Sequence, residues 1–145
     1  MMPTLPISLL SIAAAVSILF GVRYCLAREF MPYHATVAGR SWSELEPGVR
    51  TIILGMLRIV GGGFVSYGVA LLWLLVPLNR GESWAPWAAL TITLTALAPV
   101  LYVTVWLRRV EPTARTPIVP AAAVLVLAVV GATSSLFLQA AARQP

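Results

Sequence analysis

Four stretches of this chain run for more than twenty residues with almost no charge, and that constrains the fold more than any other feature. They are residues 6–27, 51–79, 84–107 and 117–142, and the only charges inside them are Arg23, near the end of the first, and Arg58, within the second. About 20 apolar residues in a helix cross a bilayer core of about 30 Å. With no water there to hydrogen-bond the backbone, a single apolar segment must satisfy its own amides as a helix. No alternation of apolar and polar residues points to barrel strands. The expected fold is therefore all-α: an integral membrane four-helix bundle running up-down-up-down, with residues 1–145 forming one transmembrane domain.

Composition closes other routes. Only 10% of the residues are charged and 59% are hydrophobic, against about 25% and 45–50% in soluble domains. This excludes a soluble enzyme, and also a disordered chain, which needs low hydrophobicity and high charge. A lone cysteine, Cys25, cannot close an intrachain disulfide. A lone histidine, His34, cannot supply the three or four ligands of a zinc site. No nucleotide-binding loop or Ser/His/Asp set occurs, so no metal or cofactor is expected. The formal charge of +5 comes from ten arginines and five glutamates, with no lysine or aspartate. The arginines flank the apolar segments, which points to lipid headgroups rather than nucleic acid.

Their distribution predicts an orientation. Arg23, Arg28, Arg40, Arg50, Arg108, Arg109 and Arg115 fall on one side, and Arg80 and Arg143 on the other. The positive-inside rule then places loops 28–50 and 108–116 in the cytoplasm and both termini outside. So strong a bias argues against dual topology. Trp73, Trp84 and Trp87 would mark the outer interface, with Trp42 and Trp106 at the inner one. The N-terminus lacks the basic start of a signal peptide, so the first segment is expected to be retained. The small, Ala-rich, Arg-only composition suggests a bacterial inner membrane.

The turn around residues 79–83 is too short for anything but antiparallel neighbours. Loop 28–50 is the only sizeable extramembrane piece. Within it, Ser41 and Glu44 have the spacing of a capping box, so a short interfacial helix could start there with Trp42 and Leu45 on one face. The motif Glu-Pro-x-x-Arg-Thr occurs twice, at 46–51 and 111–116. It fits either a duplicated hairpin or the ordinary preference for Pro in a first helical turn and Arg at a cytoplasmic flank.

Few residues inside the spans could carry chemistry. Arg58 is the one intramembrane charge of the second segment. It could snorkel to headgroups, pair with Glu44 or Glu46, or contact an anion or a lipid phosphate. Gly61, Gly62 and Gly63 cost about 1 kcal/mol each against Ala in a helix, so a gain is expected there. Close packing is the plain reading, through Gly62, Ser66 and Ala70 on this helix and Ala13, Ser17 and Gly21 on the first; a hinge or cofactor seat is the sharper one. The fourth segment offers Ala128 with Ala132 and Gly131 with Ser135. Thr91, Thr93 and Thr95 precede Pro99, which is expected to kink the third segment. None of the five glutamates lies inside a span, which removes the usual carboxylate of a proton-coupled exporter.

These features lead to a non-enzymatic membrane protein, an accessory or assembly subunit or a homo-oligomeric scaffold. It would use small-residue helix faces for lateral contact. The loop surface of His34, Trp42, Glu44, Glu46, Arg50, Arg108 and Arg109 would meet a partner or anionic lipid. A small channel or transporter with Arg58 in its path is the alternative, and an interfacial enzyme using His34, Glu44 or Glu46 the third reading.

Overall fold

A computed structural model describes residues 4–141. Ala142 and Arg143, which the sequence assigns to the end of the fourth segment and to the outer charge count, lie outside the described residues. The chain is all-α and forms a four-helix bundle. Helix α1 spans Thr4–Cys25, α2 Pro32–Ala38, α3 Pro47–Asn79, α4 Ala85–Val110 and α5 Ile118–Ala141, with a 3-10 turn at Trp42–Glu44. Helices α1, α3, α4 and α5 are each long and apolar enough to cross a membrane, and the protein is an integral membrane protein.

The four long helices form a closed ring in which α1 packs on α3, α3 on α4, α4 on α5 and α5 on α1. The α1–α3 seam is the closest because glycines line it. A Cβ on Gly21 would stand 2.6 Å from the Gly61 carbonyl oxygen, and one on Gly61 would stand 2.7 Å from the backbone nitrogen of Cys25. Gly68 repeats the contact two turns on, where a Cβ would lie 2.7 Å from the Ala14 carbonyl oxygen. Such approach is open only to residues without a side chain, and it brings whole backbones into dispersion contact. Gly131 does the same for α5, against Leu10 and Pro6 of α1.

Helix α3 begins at Pro47, four residues before the expected Thr51, because Pro47 suits a first turn and leaves no amide without a partner. Its 33 residues make a rod of about 50 Å, well beyond the bilayer core. The excess lies at the end of the bundle that carries loop 28–50. There α2, unforeseen in the sequence, starts at Pro32 and stops at Gly39, whose φ of 63° is left-handed. The second Glu-Pro-x-x-Arg-Thr motif is not placed like the first. Glu46 precedes a helix that starts at Pro47, whereas Glu111 ends α4 and its Pro112 lies in a turn six residues before Ile118. The two copies do different structural jobs, which leaves the duplication without structural support.

Candidate functional site

At the end bearing loop 28–50 the four helices spread around a cavity of about 560 Å³. Its walls come from the C-terminal half of α1, the N-terminal half of α3, the C-terminal half of α4 and the start of α5. Pro117 and Pro120 at the start of α5, and Pro99 in α4, stand in the wall. Met56 and Val60 of α3, with Pro99 and Val103 of α4, line the cavity and are also exposed. The mouth therefore lies between α3 and α4 and faces sideways, where a bilayer would be. One turn beyond the innermost wall residues Phe64 and Leu97, the buried hydroxyls of Tyr67 and Thr93 meet at 3.1 Å and join α3 to α4. Below that bond the helices pack directly.

The roof is α2 and the 3-10 turn. Tyr24 of α1, Phe30, Met31 and Leu57 of α3 form a buried cluster, and Tyr33, Trp42 and Leu45 pack against it. Trp42 and Leu45 therefore both turn toward the bundle. Trp42 meets Phe30 edge-on at 5.1 Å between ring centroids. The expected capping interaction is present in part: the Glu44 carboxylate accepts the Ser41 amide at 2.7 Å, while the Ser41 hydroxyl lies 3.1 Å from that of Ser43. Arg50 fastens the roof to α3 by donating to the Leu45 carbonyl at 2.8 Å and the Ser43 carbonyl at 3.0 Å.

The polar groups of the cavity gather under this roof. The Tyr24 and Tyr33 hydroxyls are 2.7 Å apart, linking α1 to α2. His34 meets Tyr33 edge-on at 4.1 Å between ring centroids, with the planes inclined at 60°. Its Nδ1 accepts the Met31 amide at 3.3 Å, so in the neutral ring the proton sits on Nε2. Burial pushes the Tyr33 phenol well above its ordinary value, with the bond to Tyr24 and the neighbouring Tyr24 charge adding to it. Burial likewise lowers His34 from 6.5. Both groups are held in their neutral forms. No arginine or glutamate is among the cavity-lining residues. The hydroxyls of Ser17 and Thr104, also in the wall, are turned onto their own helices at 2.8 and 2.9 Å.

Other residues singled out by the sequence lie elsewhere. Arg58 is exposed on α3 and does not line the cavity. Glu46 stands twelve residues before it, at the N-cap of the same helix, about 18 Å away along the axis. That distance rules out the pair with Glu46. The glycine run splits. Gly61 is buried in the α1–α3 seam, whereas a Cβ on Gly62 or Gly63 would meet nothing within 4 Å. Ser66 is exposed and Ala70 half-buried, while Ala13 and Ser17 are buried. Successive residues are about 100° apart around a helix, so the α1-facing stripe runs through Gly61 and Gly68, not Gly62 and Ser66. Thr91 and Thr95 point outward and bond back to the Trp87 and Thr91 carbonyls at 2.9 and 2.8 Å; only Thr93 turns inward. Helix α4 continues through Pro99 to Val110. Glu44 and Glu46 are exposed on the roof. Arg108 donates to the Ala114 carbonyl and ties the end of α4 to the following turn, and Arg109 is exposed.

Comparison with protein-family models, curated proteins and solved structures finds no match for the chain. The site must therefore be read from its own chemistry. Sequence reasoning named His34 and Trp42 but missed the cavity and its Tyr24–Tyr33 link. Pro32 and Gly39, seven residues apart around a short apolar run, were the available signal for the roof helix.

Proposed function

We propose that this is a non-enzymatic membrane protein that works by lateral association, as an accessory or assembly subunit or as a homo-oligomeric scaffold. The observation that carries this reading is the outward stripe of α3. Gly55, Gly62 and Gly63 have open space where a Cβ would be, and Ser66 is exposed beside them. A glycine facing lipid gives the isolated bundle no packing in return for its helix cost. It gives a second transmembrane helix room for close backbone approach. In this reading the arginine-rich loops 28–50 and 108–116 face the cytoplasm of a bacterial inner membrane and rest on anionic headgroups.

A solute path beside Arg58 draws less support, since Arg58 lies outside the apolar cavity and two of the three threonines of α4 face outward. An interfacial enzyme would need carboxylates at the site, yet Glu44 is engaged by the Ser41 amide and Glu46 stands on the outer surface. Native mass spectrometry after gentle extraction tests the proposal. The expected result is a complex, with itself or with a stoichiometric second protein, which Gly62→Leu dissolves while the released chain keeps its thermal melt. A monomer carrying only lipid, in wild type and variant alike, contradicts it.

A further inference from the structure

The cavity under the roof is independent of the α3 outer stripe and carries its own reading. Its volume of about 560 Å³ falls within the roughly 300–1,000 Å³ of small-molecule sites. Its mouth opens sideways between α3 and α4, flanked by the exposed Met56, Val60 and Val103, on two helices long and apolar enough to cross a membrane. A ligand entering there comes from the bilayer and brings a hydrocarbon chain. The polar side chains with a donor to spare lie at the roof end, under α2, while the wall hydroxyls of Ser17 and Thr104 are spent on their own helices.

The chemistry of that end narrows the head group. The two tyrosine hydroxyls share one hydrogen bond, which uses one of their two protons and leaves the other for a third group. His34, with Nδ1 occupied by the Met31 amide, has Nε2–H as its donor. The end is thus rich in neutral donors and bare of charge. A charged head buried there would lack a counter-ion, and an unpaired charge in a low-dielectric site is costly. A hydroxyl or carbonyl oxygen would accept from either donor at no such cost. The aromatic walls, Phe20, Phe30 and Phe64 among them, offer faces and edges to a flat or branched chain.

We propose that this cavity binds a neutral, membrane-borne amphiphile: one hydrocarbon chain entering between α3 and α4, and a hydroxyl or carbonyl head accepting a hydrogen bond from the Tyr24–Tyr33–His34 cluster. The chain lies along the apolar wall toward Phe64 and Leu97, and the head stays under α2. The Tyr67–Thr93 bond closes the far end, so the ligand is held in a blind pocket, not passed through the bundle.

Photolabelling of the full-length protein in phosphatidylcholine vesicles tests this. The probes are three twelve-carbon chains bearing the same diazirine near the tail, one ending in an alcohol, one in a carboxylate and one in a trimethylammonium. The alcohol should label the cavity-facing residues of α3 (53–64) and α4 (97–107) saturably, with unlabelled dodecanol competing. Its apparent affinity should exceed that of either charged probe by about tenfold or more. Tyr33→Phe keeps the ring and should weaken the alcohol by about fivefold, the worth of one hydrogen bond. Val100→Phe narrows the cavity without touching the polar end and should weaken all three probes equally. Labelling spread evenly over outward positions such as Trp73 and Phe137, or equal affinity for alcohol and carboxylate, overturns the proposal. So does an unchanged alcohol affinity in both variants.

Discussion

The two ends of the bundle are built from the same four helices and packed by opposite rules. At the end holding the 79–83 turn, Leu10, Ala13, Leu71, Leu78, Ala85, Ala89, Ala128 and Ala132 are all fully buried, and the helices touch directly. At the other end, aromatic side chains and proline-bearing walls hold the helices apart around a cavity, and a short helix closes the top. Small residues bring helices together; aromatic residues, braced across a roof by hydrogen bonds, keep them separate. A membrane bundle gains nothing from excluding water between helices, since lipid is as apolar as leucine. Close packing must therefore be supplied residue by residue, and where it is absent room remains for another molecule.

The contrast can be broken first at the glycine seam. Gly61→Leu places a side chain where even a Cβ lies 2.7 Å from backbone, and should cost about 3 kcal/mol or more, seen as a collapsed melting temperature in mild detergent. Next, Leu71→Ala in the tight end should cost about 3 kcal/mol. Met56→Ala, at the mouth of the cavity, should cost under about 1 kcal/mol because that side chain is already partly free. Equal losses at Leu71 and Met56 would erase the difference between the ends.

A smaller effect is expected at the roof. Arg50→Ala removes two hydrogen bonds and should cost about 1–2 kcal/mol locally, read as faster amide exchange over residues 41–45 with the helical core unchanged. The mildest effect is acid loosening. His34 is half-buried, and that desolvation lowers its pKa from 6.5, so the open roof takes up the proton more readily than the closed one. The stability it contributes is complete above about pH 6.5 and is lost as pH falls through the lowered folded value. Glu44, held below 4.5 by the Ser41 bonds, loses its contribution only at still lower pH. Exchange at the roof, divided by the intrinsic amide rate at each pH, should rise as pH falls from about 6.5 to 4.5 in the wild type and stay flat in His34→Phe; a flat corrected wild-type profile removes the histidine from the account.

The spans were legible because a bilayer demands long uncharged runs, and no neighbouring element alters that demand. Their ends shifted by a few residues where a local rule outweighed hydropathy, as at Pro47. The glycine run was legible as a packing signal but not in its phase. Three glycines in a row cover about 200° of helix, and what selects Gly61 is the burial of Leu57, Gly68 and Leu71 on the same side. The cavity was not legible at all. Met56, Val60 and Val103 look in sequence like any core or lipid-facing residue, and only the separation of α3 from α4 makes them a wall. The Tyr24–Tyr33 bond joins residues on two elements, one of which, α2, was read as part of a connector.

The most direct test of the central claim, that one end of the bundle is tight and the other is a receptive cavity, is a crystal structure grown in a lipid mesophase. The account predicts helices in backbone contact at Gly21, Gly61 and Gly68, with elongated density between α3 and α4 reaching from Val60 to the Tyr24–Tyr33 pair. Val60 packed against Val103 with no space between them, or a column of water in place of the elongated density, would contradict it.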